Sequence, residues 1–198
     1  NTNNFVKSIN FDRYAEKITS SANYIYIQTD GSTYDSSYNE LPTGHTITRI
    51  NPATNEVDKV ITLDDTNIIK DMTSDANYVY VLTSNDTSSN VYRITSATGI
   101  AEKVTLANVA GGSKLAIDQG KIYMISSGKK VYSFNGTSAS ELFSVTANNI
   151  YGFNVINGNV FVADPTFSSD SKVRIYNLTG TLLKTLTTGI GTNGFYKN

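Results

Sequence analysis

The sequence predicts an all-β fold, a β-propeller of four-stranded antiparallel blades. Three observations predict it. One motif returns four times along the 198 residues. Each return brings the same set of short apolar segments, separated by turn-forming residues. The composition is that of strands and turns, with 22 Asn, 25 Thr and 21 Ser beside 13 Tyr and only 3 Pro. Thr, Tyr, Val and Ile suit pleated strands, whereas Asn, Ser and Gly suit turns. Apolar residues make up 39% of the chain, which argues against disorder.

The motif is clearest in Ala22-Asn23-Tyr24-Ile25-Tyr26-Ile27 and Ala76-Asn77-Tyr78-Val79-Tyr80-Val81. Looser copies are Gln119–Met124 and Asn157–Val162. Their anchors are Tyr26, Tyr80, Tyr123 and Phe161, spaced by 54, 43 and 38 residues. Eight residues before each anchor stands an apolar residue (Ile18, Met72, Leu115 and Phe153), which marks a first strand, A. The motif itself is strand B. A polar loop follows, then strand C at Ile47–Ile50, Val91–Ile94, Val131–Phe134 and Val173–Tyr176. Tight turns such as Asn51–Asn55 and Asn135–Thr137 lead into strand D at Lys59–Leu63, Lys103–Leu106, Glu141–Val145 and Leu182–Leu186. Four antiparallel strands in roughly 40–50 residues make one propeller blade. A β-sandwich also spaces short strands closely, but it does not demand a four-strand unit that returns with matched turns.

The repeats occupy residues 14–63, 68–106, 113–145 and 151–187. Residues 1–10 read as a D strand ahead of the first blade, and 193–197 as a further inner strand, with Phe195 continuing the A series. The chain 1–198 is therefore expected to be a single β-propeller domain or the C-terminal portion of one. It holds about four blades and is expected to be part of a seven-bladed propeller, with a compact small propeller as the alternative.

The hairpin Ile50-Asn51-Pro52-Ala53-Thr54-Asn55-Glu56-Val57, the Tyr-Val-Tyr-Val strand at 78–81 and Lys59-Val60-Ile61-Thr62-Leu63 resemble YncE-like propellers. The ending Gly189-Ile190-Gly191-Thr192-Asn193-Gly194-Phe195 looks like the close of Bacteroidetes surface-propeller lipoproteins, with Thr192 in place of a proline. The resemblance implies a seven-bladed propeller on the bacterial cell surface (outer membrane, extracellular face), beside a TonB-dependent transporter. Its BtuG-like members bind cobalamin.

Composition narrows the chemistry. The formal charge of −1 leaves no electrostatic footprint for nucleic acid. Without cysteine there are no disulfides and no thiol nucleophiles. No apolar run is long enough for a transmembrane helix. His45 is the single histidine, so a Ser-His-Asp triad would have to use it, and no Gly-x-Ser-x-Gly elbow surrounds any serine. The chain is expected not to be an enzyme, a propeller lyase or hydrolase being the weaker alternative. Gly189–Gly194 spells G-x-G-x-x-G but lacks the strand–helix context of a dinucleotide site. No cofactor is expected, although Asp64-Asp65 and the pair Asp164 and Asp170 offer oxygen ligands suited to structural calcium. Asn85, Asn135 and Asn177 each start an Asn-x-Thr triplet.

In a propeller the B–C and D–A loops share one face. The longest loop, 28–45, carries Tyr34, Tyr38 and Asn39 and ends at His45. A long loop on a rigid scaffold points to function. On the same face stand Asn149 and Tyr151 between blades, and Asp164 and Phe167 in a B–C loop. Flat aromatics with adaptable amides suit a neutral polar ligand with an apolar face, such as a corrinoid or a glycan. A protein-interaction scaffold in an outer-membrane complex is the alternative use of this face.

Overall fold

The computed structural model describes residues 4–31, 33–41 and 45–196. It is a β-propeller of four antiparallel four-stranded sheets, with no helix among the described residues. Blade 1 holds β1 (Ile18–Ser21) and β2 (Tyr24–Gln28). Its long loop carries a two-residue hairpin, β3 (Thr33–Tyr34) with β4 (Glu40–Leu41), and β5 (Thr46–Asn51) and β6 (Glu56–Thr62) complete the sheet. Blade 2 is β7 (Ile68–Ser74), β8 (Tyr78–Ser84), β9 (Ser89–Thr95) and β10 (Ala101–Leu106). Blade 3 is β11 (Gly112–Asp118), β12 (Lys121–Ser126), β13 (Lys130–Phe134) and β14 (Ala139–Ser144). Blade 4 is β15 (Gly152–Ile156), β16 (Asn159–Asp164), β17 (Ser171–Asn177) and β18 (Leu182–Thr188). Each sheet runs A-B-C-D in strand order, so every connection is a hairpin between neighbours.

The core lies between the sheets. Side chains alternate across a strand, and in the middle blades both faces are apolar. On β8, Val79 and Val81 face blade 1, while Tyr80 and Leu82 face blade 3. On β12, Ile122 and Met124 face blade 2, while Tyr123 and Ile125 face blade 4. Three apolar clusters result, one per seam. The A-strand residues Met72, Leu115 and Phe153 are buried because each faces the preceding sheet. Ile18 has the same place in its strand but is 67% exposed, since no described sheet precedes it.

Polar ties lock the rims of the seams. At the A–B and C–D side of the first seam, Tyr26 donates its hydroxyl to the Ser96 carbonyl at 2.8 Å. Arg49 Nη1 donates to the same carbonyl at 2.8 Å, and Ser21 Oγ donates to the Asp75 carbonyl at 2.6 Å. At the opposite rim the Tyr92 hydroxyl reaches the Asp64 carbonyl at 2.5 Å. In the third seam Asp118 accepts the turn amides of Asn157 (3.1 Å) and Gly158 (2.8 Å).

The Asn-x-Thr triplets have a structural reason. Asn85, Asn135 and Asn177 each accept, on Oδ1, the amide and hydroxyl of the threonine two residues on, at 2.8–3.1 Å. This is an Asx turn reinforced by a hydroxyl.

The ends differ from expectation. Described residues 4–10 form no strand; Lys7 pairs with Glu56 at 3.5 Å. Residues 193–196 form no strand either, and residue 197 and residues 1–3 lie outside the described residues. The segment 193–196 still docks as an inner layer on blade 4. Asn154 Nδ2 donates to the Phe195 carbonyl at 2.8 Å, and the Phe195 ring lies 5.6 Å from Phe161. Gly152 permits this approach, because a Cβ there would run into the Asn193 carbonyl.

The seams generate a stability prediction. Tyr26→Phe removes one hydroxyl bond, and Arg49 still serves the Ser96 carbonyl, so it should cost about 1 kcal/mol. Leu82→Ala empties space in the second seam and should cost about 2–5 kcal/mol. Urea denaturation of both variants checks the order.

Candidate functional site

The face built by the B–C and D–A loops receives all the residues that the sequence singles out, in three separate places and one interior position. Tyr34, at the end of β3, opens into a depression of about 560 Å³ lined also by Phe11–Tyr14, Asp30 and Gly31. Tyr38 and Asn39 lie further along the same loop. An Asx turn shapes this tip. Asp35 Oδ1 accepts the amides of Ser37 (2.8 Å) and Asn39 (2.9 Å), and Asn39 Nδ2 donates to Asp35 Oδ2 at 2.9 Å. The hydrogen bonds from Asn39 hold the Asp35 carboxyl below the usual range. The turn presents Tyr38 at φ 62° with 88% of its surface exposed.

Tyr38 and Asn39 border a second depression of this face, about 590 Å³. Its other walls come from blades 2 and 3: Ile68 and Lys70, Ser84–Asp86, Gly111–Ser113 and Ser127. The two inner strands break register at matching places. β7 bulges between Ile69 and Asp71, and β11 between Gly112 and Lys114. The residues within the bulges are Lys70 and Ser113, each two places before the A-strand apolar residue, and both line the depression. Bulges re-aim side chains and concentrate beside sites. The floor is small by necessity. At Gly111, φ is +62° and a Cβ would strike Ser127 Oγ. Ser84 Oγ donates to the Gly112 carbonyl at 2.6 Å, and the Gly112 amide donates to Ser89 Oγ at 2.9 Å. The walls thus offer hydroxyls, an amide side chain, one ammonium and one carboxylate, with an aromatic plate at the rim.

Blade 4 carries the third place. Asp164 Oδ1 accepts the amides of Asn148 and Asn149, both at 3.0 Å, and Oδ2 pairs with Arg174 Nη1. Burial pushes this carboxyl up, but the two amides and the guanidinium outweigh it and hold it below the usual range. Asp164 therefore anchors the D–A linker. Above it Tyr151 and Phe167 meet edge to face at 5.6 Å, both exposed. Tyr151 also borders a channel of about 380 Å³ lined by β7, β11, β15 and residues 193–196. In the channel Asp71 Oδ2 accepts the Leu115 amide at 2.8 Å, tying two inner strands.

His45 lies inside the protein, 6% exposed, at the end of the long loop. Of the carboxylates read as calcium ligands, Asp164 and Asp65 are occupied by internal donors. Asp65 accepts the amides of Thr66 and Asn67, the Thr83 hydroxyl and Asn90 Nδ2 (2.9 Å). Among the described residues no three His, Asp or Glu side chains converge as a metal cluster. Lys70, Ser113 and Ser127 escaped the sequence reading. A bulge adds one residue without changing composition, and the only local signal was the Gly111-Gly112 pair.

No family model matches the chain, and no curated protein matches it in sequence. Solved structures share its fold. A structure of Kuenenia stuttgartiensis hydrazine synthase aligns over 95% of this chain and 52% of its own, at 14% identity and a TM-score of 0.66. A nidogen/laminin complex aligns over 76% and 62%, at 18% and 0.56. Chaetomium thermophilum Raptor aligns over 90% and 16%, at 12% and 0.65. The chain thus spans less than two thirds of each of these, and at such identities the likeness shows the fold alone.

The anchoring carboxylates set a pH dependence. The lowered Asp164 and Asp65 contribute stability that is present above the unfolded value near pH 4 and lost as pH falls through their folded values. Burial raises Asp30 and Asp71, whose contribution has the opposite sign and fades as pH rises through their folded values. Asp164→Asn should cost about 2–4 kcal/mol at neutral pH. It should also flatten the acid limb of stability, as read by denaturant unfolding between about pH 3 and 7.

Proposed function

We propose that the protein is a non-catalytic binding propeller that captures a polar nutrient ligand on its B–C/D–A face. The observation that carries the reading is the convergence of two matched bulges. Bulges at Lys70 and Ser113 reach one depression from two different blades, beneath an exposed tyrosine held out by its own Asx turn. A sugar fits this chemistry, since its apolar ring face stacks on an aromatic plate while its hydroxyls meet Ser, Asn and Lys groups. A corrinoid is the larger alternative within the same reading. It has a polar rim of amides and would cover the face rather than enter the depression.

The resemblance of the hairpin at 50–57 and of the ending at 189–195 to surface-propeller lipoproteins supports a place on the bacterial cell surface. A TonB-dependent transporter is the partner that such a place implies. Among the described residues no helix is long and apolar enough to cross a membrane.

Calorimetry against neutral oligosaccharides and against corrinoids tests the proposal. One of the two classes should bind without being converted, and Tyr38→Ala should weaken it about tenfold, or ~1.4 kcal/mol. Lys70→Met should weaken it as well. Heat from neither class, or binding indifferent to both substitutions, refutes the assignment of this depression.

A further inference from the structure

The neck of the long loop holds a second feature, which the ligand face does not use. Gln28 pairs with Ile47 across β2 and β5, and the Thr29 amide donates to the Thr46 carbonyl at 2.9 Å. Continuing that register by two places sets Asp30 opposite His45. Gln28, Asp30 and His45 therefore share one face of the sheet, the face that Tyr26 and Ile47 turn toward blade 2. All three are buried, at 2%, 3% and 6% exposure.

Two buried polar atoms go unserved there. Gln28 spends its Nε2 amide on Asp30 Oδ1 at 2.8 Å. Its Oε1 then has no partner, and neither has His45 Nε2; they are the two such buried side-chain atoms among the described residues. An unmet buried polar atom is costly, and here two of them stand beside a buried carboxylate. His45 itself adopts φ 48°, a left-handed conformation unfavourable for a residue with a Cβ. Backbone strain, two unpartnered polar atoms and a carboxylate coincide at the chain's single histidine.

We propose that this nook binds a divalent transition-row cation through His45 Nε2, Gln28 Oε1 and the Asp30 carboxylate, with water completing the shell. An imidazole nitrogen among oxygens selects zinc or manganese over calcium, which prefers oxygen alone. The cation would give both unpartnered atoms a Lewis-acid partner, with His45 binding through the Nε2 lone pair of the neutral imidazole, and it would pin both ends of the loop that carries Tyr38. The site stands on its own geometry, whether or not the face above it captures a ligand.

The test uses tag-free protein stripped with a chelator and titrated with ZnCl₂, MnCl₂ or CaCl₂ alone. Zinc or manganese at a hundredfold its dissociation constant should raise the unfolding midpoint by ~5–10 °C, with calcium inert. His45→Ala and Gln28→Leu should each abolish the rise. Because the chain has one histidine, its two imidazole nitrogens give one assignable pair of NMR signals in the unmutated protein, whatever the variants do. Zinc should shift the Nε2 resonance, and manganese should broaden it. An imidazole signal unmoved at saturating metal overturns the proposal, as does a midpoint rise that survives in both variants. No rise with either metal overturns it too, and means that internal water alone serves the two orphaned atoms.

Discussion

The structure depends on one constraint: a four-stranded sheet of this size cannot bury its own faces, so each must be covered by the next sheet. A strand in the middle of such a stack needs apolar residues at odd and even positions alike. Tyr78–Ser84 and Lys121–Ser126 meet that demand, sending successive side chains into different seams. With the seams filled by Val, Ile, Leu, Met and Tyr, the sheets are held face to face without any backbone ladder between blades. Burial at roughly 25 cal/mol per Å² makes these seams the principal source of stability.

Once the seams set blade positions, the rims are free to specialise. On the A–B and C–D side they carry inter-blade bonds: Tyr26 and Arg49 on the Ser96 carbonyl, Asp118 on the Asn157 and Gly158 amides. Arg49 lies over the Tyr24 ring and pairs with Asp58, and Arg93 repeats this over Tyr78 with Glu102. The rim with the long loops is shaped differently. There the inner strands of blades 2 and 3 bulge, a tyrosine stands exposed and small residues floor a depression. Both rims spend polar groups on holding blades together, the second through Tyr92 on the Asp64 carbonyl and Ser84 on the Gly112 carbonyl, and the second also builds a depression beside those ties.

The sequence made the blade count and most strands legible, because period-two alternation around Tyr26, Tyr80, Tyr123 and Phe161 is a direct image of two-sided burial. It began the first repeat at residue 14. Glu16 and Lys17 do pair with the backbone of Gln28, but the regular ladder begins at Ile18. It read 193–197 as a strand, whereas 193–196 is held by the Asn154 amide and the Phe161 ring instead of a ladder. Loop length pointed to Tyr38 and Asn39. It could not point to Lys70 or Ser113, since a bulge is a property of pairing and not of composition. Nor could it place His45 inside, because burial at a loop's neck depends on what the loop folds over.

The buried carboxylates sort themselves by how they are served. Asp164 draws two amides and a guanidinium, and Asp65 draws two amides, a hydroxyl and a side-chain amide; both carboxyls are held below the usual range. Each is a strut whose demand for donors the chain itself meets. Asp30 is equally deep, and the Gln28 side chain and the backbone amides of Asp30 and His45 serve its carboxylate, but the Gln28 side chain leaves its own oxygen unpartnered. A chain that satisfies two such carboxylates with several donors each is not short of donors in general. The shortfall is local, at a strained histidine at the neck of the loop that presents Tyr38. Gln28 Oε1 and His45 Nε2 are the two atoms there that the chain leaves unserved, and they are the demand that the proposed cation would meet.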